Sequence, residues 1–152
     1  MTTLFNIAYI SKNAVINDEE TLKREIASIL ASANENNPKM GITGALLYSG
    51  GYFCQVIEGT DEALEELFET IQMDDRHTDV KVLHFEPLEN RNFADWSMAF
   101  AGIEDKMRFK IDGILDSKDE IKIHELGHDL VATLDELVKH HQALLNLKAT
   151  DS

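Results

Sequence analysis

The chain is short of three things. It has one cysteine, Cys54, in 152 residues, half as many basic as acidic side chains (14 against 28), and no apolar run approaching a membrane span. A single cysteine cannot close an internal disulfide, which argues against a cystine-stapled secreted scaffold. A net charge of −14 tells against a sequence-independent grip on DNA or RNA, because that grip needs clustered Lys and Arg to displace counterions from phosphates. The same balance disfavours anionic membrane surfaces, and neither residues 1–102 nor residues 103–152 hide a basic arm. A membrane-spanning helix needs roughly 20 consecutive apolar residues. The opening MTTLFNIAYISKN has neither the basic start nor the apolar stretch of a secretory signal. The expected address is the cytoplasm, with no nucleic acid and no membrane among the partners. Repeats and low-complexity tracts are absent.

What is there suits a globular chain. An apolar share of 43% fills one core, and the length fits one domain of about 100–150 residues with a short appendage. Residues 4–10, LFNIAYI, read as a buried strand closed by Ser11-Lys12-Asn13. From Asp18 the period changes: Leu22, Ile26, Ile29, Leu30 and Ala33 share a helical face, and Asn-Asn-Pro at 36–38 is expected to stop that helix. ALLYS (45–49), Gly50-Gly51 and YFCQVIE (52–58) predict a β-hairpin. A second helix starts at Asp61, carries Leu64, Leu67, Phe68 and Ile71 on one face, and is expected to end near Asp74–His77. VKVLHFEPL (80–88) and the segment around WSMAF (96–100) read as two more strands. The order β-α-β-β-α-β-β makes a ferredoxin-like α+β sandwich the most economical topology, a mixed five-stranded sheet with two helices on one face. Beyond it, residues 103–152 read as a separate helical extension: a short segment around 104–115, a break at Asp116-Ser117, and a helix from about 119 to 147. Its Leu130, Leu134, Leu137, His141 and Leu144 form a seam that needs a partner surface.

Several polar residues fall where a sandwich prefers apolar ones. Gln55 lies inside a strand, Tyr9 inside another, and Asn36 and Asn37 at the expected end of the first helix. Buried amides and hydroxyls must find hydrogen-bond partners, so these groups either satisfy one another or bind a planar polar ligand. The plainer alternative is a core tyrosine with a partner, turn amides and an edge-strand glutamine.

Five blocks together carry a resemblance: AYIS (8–11), NNP with GITGALLY (36–48), FCQVIEG (53–59), DDRH (74–77) and RNFADWSM (91–98). In that order and spacing, over about 100 residues, they resemble the BLUF family of flavin-using blue-light sensors. The resemblance implies a ferredoxin-like fold, as read above, and a non-covalently bound flavin, FAD by family habit with FMN as the second choice. It implies that Tyr9 donates an electron and a proton after blue-light excitation. Gln55, standing between Tyr9 and the flavin ring, would then rearrange and leave a reversible red-shifted state. Asn37 matches the amide on the pyrimidine edge and Asn36 a neighbouring ligand position. Arg76 and His77 match a pair near the ribityl and phosphate end, where a cationic pair suits a phosphate. Trp96 and Met98 match the switch residues. Two positions depart from the pattern. Cys54 replaces a bulky apolar residue, and Glu35 stands where a base is frequent, with Lys39 a candidate to compensate at the ligand.

A competing motif lies at 124–128. His124-Glu125-Leu126-Gly127-His128 fits H-E-x-x-H, in which two histidines one turn apart bind zinc and the glutamate is a base. The extended pattern fails, with Val131 and Leu134 where Gly and His belong. The motif therefore reads as a solvated helix face, with adventitious metal binding by His124 and His128 as the second reading, and no metal ligands are assigned to it. Gly127 in mid-helix suits a bend or a close packing. The expectation is a short stand-alone photoreceptor, not an enzyme. Its flavin domain spans 1–102 and its helical cap or dimerisation element 103–152. Its output would be altered association with itself, as a homo-oligomer, or with an unknown protein partner. The alternatives are a flavin-free binding module on the same scaffold and a zinc hydrolase.

Overall fold

The computed structural model describes residues 3–13, 18–49, 51–73, 77–104 and 118–150. Its elements are β1 (Leu4–Asn13), α1 (Glu19–Met40), β2 (Thr43–Ser49), β3 (Tyr52–Thr60), α2 (Asp61–Gln72), β4 (His77–Leu88), β5 (Ala99–Glu104) and α3 (Glu120–Thr150). The five strands form one mixed sheet in the order β4-β1-β3-β2-β5, antiparallel except for the parallel β2–β5 pair. The expected ferredoxin-like sandwich is what forms.

Both faces of the sheet are covered, which is why Ile7, Ala8, Tyr9 and Ile10 are all buried in succession. Ile7, Tyr9, Leu46, Phe53 and Ile57 join Leu22, Ile26 and Ile29 of α1 and Leu64 of α2 on one face. Ala8, Ile10, Ala45, Leu47, Cys54 and Val56 join Ile123, Leu126, Leu130, Leu134 and Val138 of α3 on the other. Each fully buried leucine or isoleucine contributes roughly 1.5–3 kcal/mol, so α3 is held along about four turns. Its buried stripe therefore begins at Ile123, and the partner surface its leucines require is the sheet. The expected short helix at 104–115 lies largely outside the described residues, as do the break at 116–117 and the side chains of His141 and Leu144.

Local chemistry sets the helix ends. Asp18 caps α1 by accepting from the Thr21 amide at 2.7 Å, a bond that holds its carboxyl below its ordinary pKa. Thr60 caps α2 through the Ala63 amide at 3.3 Å. The far end of α1 departs from expectation. Asn36, Asn37 and Pro38 do not stop it; it runs to Met40 and closes at Gly41, whose φ of 68° suits glycine. Proline loses one backbone bond and crowds the preceding turn, but only two residues of helix follow it. The Ile42 amide still reaches Asn37 O at 2.9 Å. The end of α2 also differs: Met73 is its C-cap, and His77 opens β4 opposite Asn13 instead of closing the helix. Trp96 and Met98 precede β5 rather than lying within a strand. The Trp96 amide bonds back to Phe93 O at 3.0 Å and its carbonyl accepts from Gly44 at 3.2 Å, so the ladder starts at Ala99.

Candidate functional site in the slot between the first two helices

A slot opens between α1 and α2 above β3. Ile29, Ala33, Leu67 and Ile71 give it apolar walls, Ser32 and Thr70 add hydroxyls, and Asn36, Asn37, Gln55 and Met98 form its polar end. The two helices expose these stripes only partly: Leu67 and Ile71 remain half-buried where a closed core would cover them.

Tyr9 and Gln55 are register partners in the β1–β3 ladder, so both side chains rise from the same face of the sheet. Tyr9 is fully buried, packed edge-on against Phe68 with ring centroids 5.5 Å apart. Its hydroxyl donates to Gln55 Oε1. The other end of that amide, Nε2, donates to Met98 Sδ at 3.5 Å. Gln55 lines the slot and Tyr9 does not, so the amide stands between the phenol and the slot.

Asn37 is 1% exposed and donates through Nδ2 to Ser97 O at 2.9 Å, tying the last turn of α1 to the segment before β5. Asn36, one residue earlier, lies at the exposed mouth of the slot. Trp96 and Met98 point to different layers. Met98 belongs to the core beneath α1 and α2, while half-buried Trp96 packs with the core beneath α3. Lys39 is exposed on the last turn of α1 and is not among the slot's lining residues, and Glu35 is exposed. Arg76 lies outside the described residues, and of His77 only the backbone is described. Cys54, beside Gln55 in sequence, faces α3; burial pushes its thiol pKa up to about 12, so it is an inert packing group.

One network was not anticipated. Glu58 is fully buried and accepts from Thr43 Oγ1 at 2.9 Å, the Asn92 amide at 2.7 Å and the Phe93 amide at 3.0 Å. Arg91 donates to Thr43 Oγ1 at 2.8 Å, Glu58 O at 3.2 Å and Gly41 O at 2.8 Å. Together they strap residues 91–93 to the ends of α1, β2 and β3, and so fix where Trp96, Ser97 and Met98 begin. A charged residue in a strand that otherwise reads as buried was the available signal.

Residues 4–99 match the family model described as "BLUF: Sensors of blue-light using FAD". The chain belongs to the BLUF family. The family's members are described as sensors of blue light that use FAD. A photoactivated adenylate cyclase subunit beta of Euglena longa is 39% identical over 101 residues, 66% of this chain but 11% of that protein. The chain thus spans about a ninth of that curated relative. The solved structure of "BlrB - a BLUF protein", in its dark state, superposes with a TM-score of 0.66 at 30% identity, covering 91% of this chain and 96% of that one. Klebsiella pneumoniae BlrP1 "with FMN and cyclic diGMP" superposes with a TM-score of 0.58 at 32% identity, over 85% of this chain and 34% of that one. The BLUF domain here is a sensor module, and no helix among the described residues is long and apolar enough to cross a membrane.

The slot's donor set fits a flavin. Three amides can meet the carbonyl and N–H edge of a pyrimidine ring, and aliphatic walls can sandwich the apolar remainder. Its volume of about 110 Å³ is below the roughly 300 Å³ of ordinary ligand sites. Seating a tricyclic ring therefore requires the side chains of α1 and α2 to part.

Proposed function

We propose that this chain senses blue light through a flavin held in the slot and converts the event into a hydrogen-bond change at Gln55. The observation that carries this reading is the chain Tyr9 Oη–H to Gln55 Oε1, then Gln55 Nε2–H to Met98 Sδ, with the amide at the slot wall. Asn36, Asn37 and Gln55 would hold the ring's polar edge, with Arg76, His77 and Lys39 toward the phosphate end. Bound flavin supplies blue-light absorption and an acceptor for one electron.

The rest is chemistry of the side chains. Tyr9 is the phenol nearest the amide, and an oxidised phenol is a strong acid, so its proton has a ready path along the bond to Gln55 Oε1. An amide bears a donor at one end and an acceptor at the other. Turning Gln55, or moving a proton across it, exchanges what it presents to the slot and to Met98. The thioether is a weak acceptor, so it gives up its N–H contact at low cost. Ser97 is anchored to Asn37, and Ser97 and Met98 lead directly into β5. A change there reaches Trp96 and the α3 layer.

The reading extends to organisation and output. A flavin-binding unit over 1–102 would signal through the extension at 103–152 by altered association with a second copy or an effector protein. FAD is the proposed cofactor, with FMN as the alternative; both carry the ring that the slot's amides address. The test is an absorption spectrum of purified protein before and just after blue illumination. A flavin band that shifts modestly to the red and returns in darkness is expected; colourless protein, or flavin that only bleaches, overturns the proposal.

A further inference from the structure

A second polar cluster lies on the opposite side of the sheet, between β4 and α3. It starts with an irregularity in the β1–β4 ladder: Ala8 pairs with His84 and Tyr9 with Val82, leaving Leu83 as an extra residue. Such a bulge re-aims side chains, and here Leu83 and His84 both meet α3 although they are adjacent. His84 is 5% exposed, and neither of its ring nitrogens has a hydrogen-bond partner. Both nitrogens face the cluster from a buried ring, which leaves their hydrogen-bonding capacity to be met from there.

Around that ring stand Glu86, two residues along β4, and His124 and His128, one turn apart on α3. Glu86 Oε1 is 2.8 Å from His128 Nε2 and 4.0 Å from His84 Nε2, and Glu86 Oε2 is 3.0 Å from His124 Nε2. One ligand atom each from His84, Glu86 and His128 all fall within 4.8 Å of one another. A tetrahedral zinc ion with bonds of about 2.0–2.1 Å sets its ligand atoms roughly 3.3 Å apart, close to these spacings. A cavity of about 270 Å³ borders the cluster, lined in part by Asn6, whose buried Oδ1 is also without a partner. Gly127 permits the approach: a Cβ there would lie 2.5 Å from His84 Nδ1.

We propose that His84, Glu86 and His128 bind a divalent transition-metal ion of the zinc class, clamping α3 to β4. Imidazole nitrogens select zinc and its neighbours over magnesium or calcium, which take oxygen ligands. The HELGH sequence contributes His124 and His128, but its own Glu125 is exposed and the carboxylate between them comes from β4. Three protein ligands leave a fourth position for water, with His124 holding the far oxygen of the Glu86 carboxylate at 3.0 Å.

The experiment uses the full chain, stripped of metal with a chelator and titrated in the dark with zinc chloride or cobalt chloride. Expected are one equivalent bound, visible bands of tetrahedral cobalt, and a thermal midpoint about 5 °C or more higher at a hundredfold excess of zinc over its Kd. His128→Ala and Glu86→Gln should weaken binding by more than the roughly 10–100-fold that loss of an outer partner costs. His84→Gln should weaken it as well, which a surface pair of His124 and His128 alone does not predict. If His84→Gln fails to fold, Glu86→Gln and His128→Ala carry the test. Absence of one-equivalent binding, an octahedral cobalt spectrum, or unchanged affinity in these variants overturns the proposal. None of these readouts depends on flavin photochemistry.

Discussion

Tyr9 and Gln55 stand directly opposite each other on neighbouring antiparallel strands, the phenol donating to the amide and the amide donating onward to Met98. Adjacent strands place both groups, so their contact is set by the sheet register rather than by a loop.

Tyr9→Phe and Gln55→Leu should abolish the light-induced spectral shift while flavin stays bound. Gln55→Leu also removes the buried bond from the Tyr9 hydroxyl to the amide, a loss of about 1–3 kcal/mol in stability. Difference spectra and urea unfolding read the two effects separately. A full shift in either variant would contradict the assigned roles.

Glu58→Ala should destabilise the protein by about 3 kcal/mol or more. It strands two backbone amides and the Thr43 hydroxyl at a fully buried site. Because the same carboxylate anchors the loop leading to Met98, the variant should also alter the recovery rate in darkness. An unfolding midpoint within error of the parent would show that the strap is dispensable.

Acid should destabilise the metal-free protein through His84. Burial sets its folded pKa below the ordinary value of 6.5, so the unfolded chain binds the proton more readily. This contribution is therefore absent above about pH 6.5 and grows as pH falls toward the folded pKa. Glu86 from β4 and His124 and His128 from α3 face the ring, with Asp135 across the adjoining cavity. Urea midpoints at pH 7.5 and 5.5 should differ more for the parent than for His84→Gln; equal differences would remove His84 from the explanation.

Gly127→Ala should cost about 1–3 kcal/mol through overpacking, although alanine normally favours a helix by about 1 kcal/mol over glycine. The added methyl would sit 2.5 Å from His84 Nδ1 and 3.0 Å from Leu83 Cβ. The double variant Gly127→Ala/His84→Ala should recover part of the loss, and a thermal melt of the three proteins checks it.

The sheet was legible because strands such as LFNIAYI and YFCQVIE are apolar on both faces, and the helices because Leu22, Ile26 and Ile29, or Leu64, Leu67 and Ile71, repeat at helical spacing. Four residues singled out in sequence, Asn36, Asn37, Gln55 and Met98, line one slot, and Tyr9 meets it through Gln55. Helix ends were less legible: Asn-Asn-Pro is a strong local stop signal, yet Gly41 three residues later offers the better cap. The Glu58–Arg91 strap joins residues 33 apart, and the convergence of β4 with α3 brings together residues 38 apart. No local periodicity encodes such pairings. HELGH shows the same limit, since its histidines are visible in sequence but the carboxylate they meet is not.

The notch at Gly127 restricts how α3 can travel. With Leu83 and His84 seated at the only glycine of the described helix, sliding by one turn along β4 would drive a bulkier side chain into that imidazole. A ratchet along the strand is therefore sterically barred. Motion of α3 over this sheet must begin as a swing or a lift, with Gly127 near the pivot.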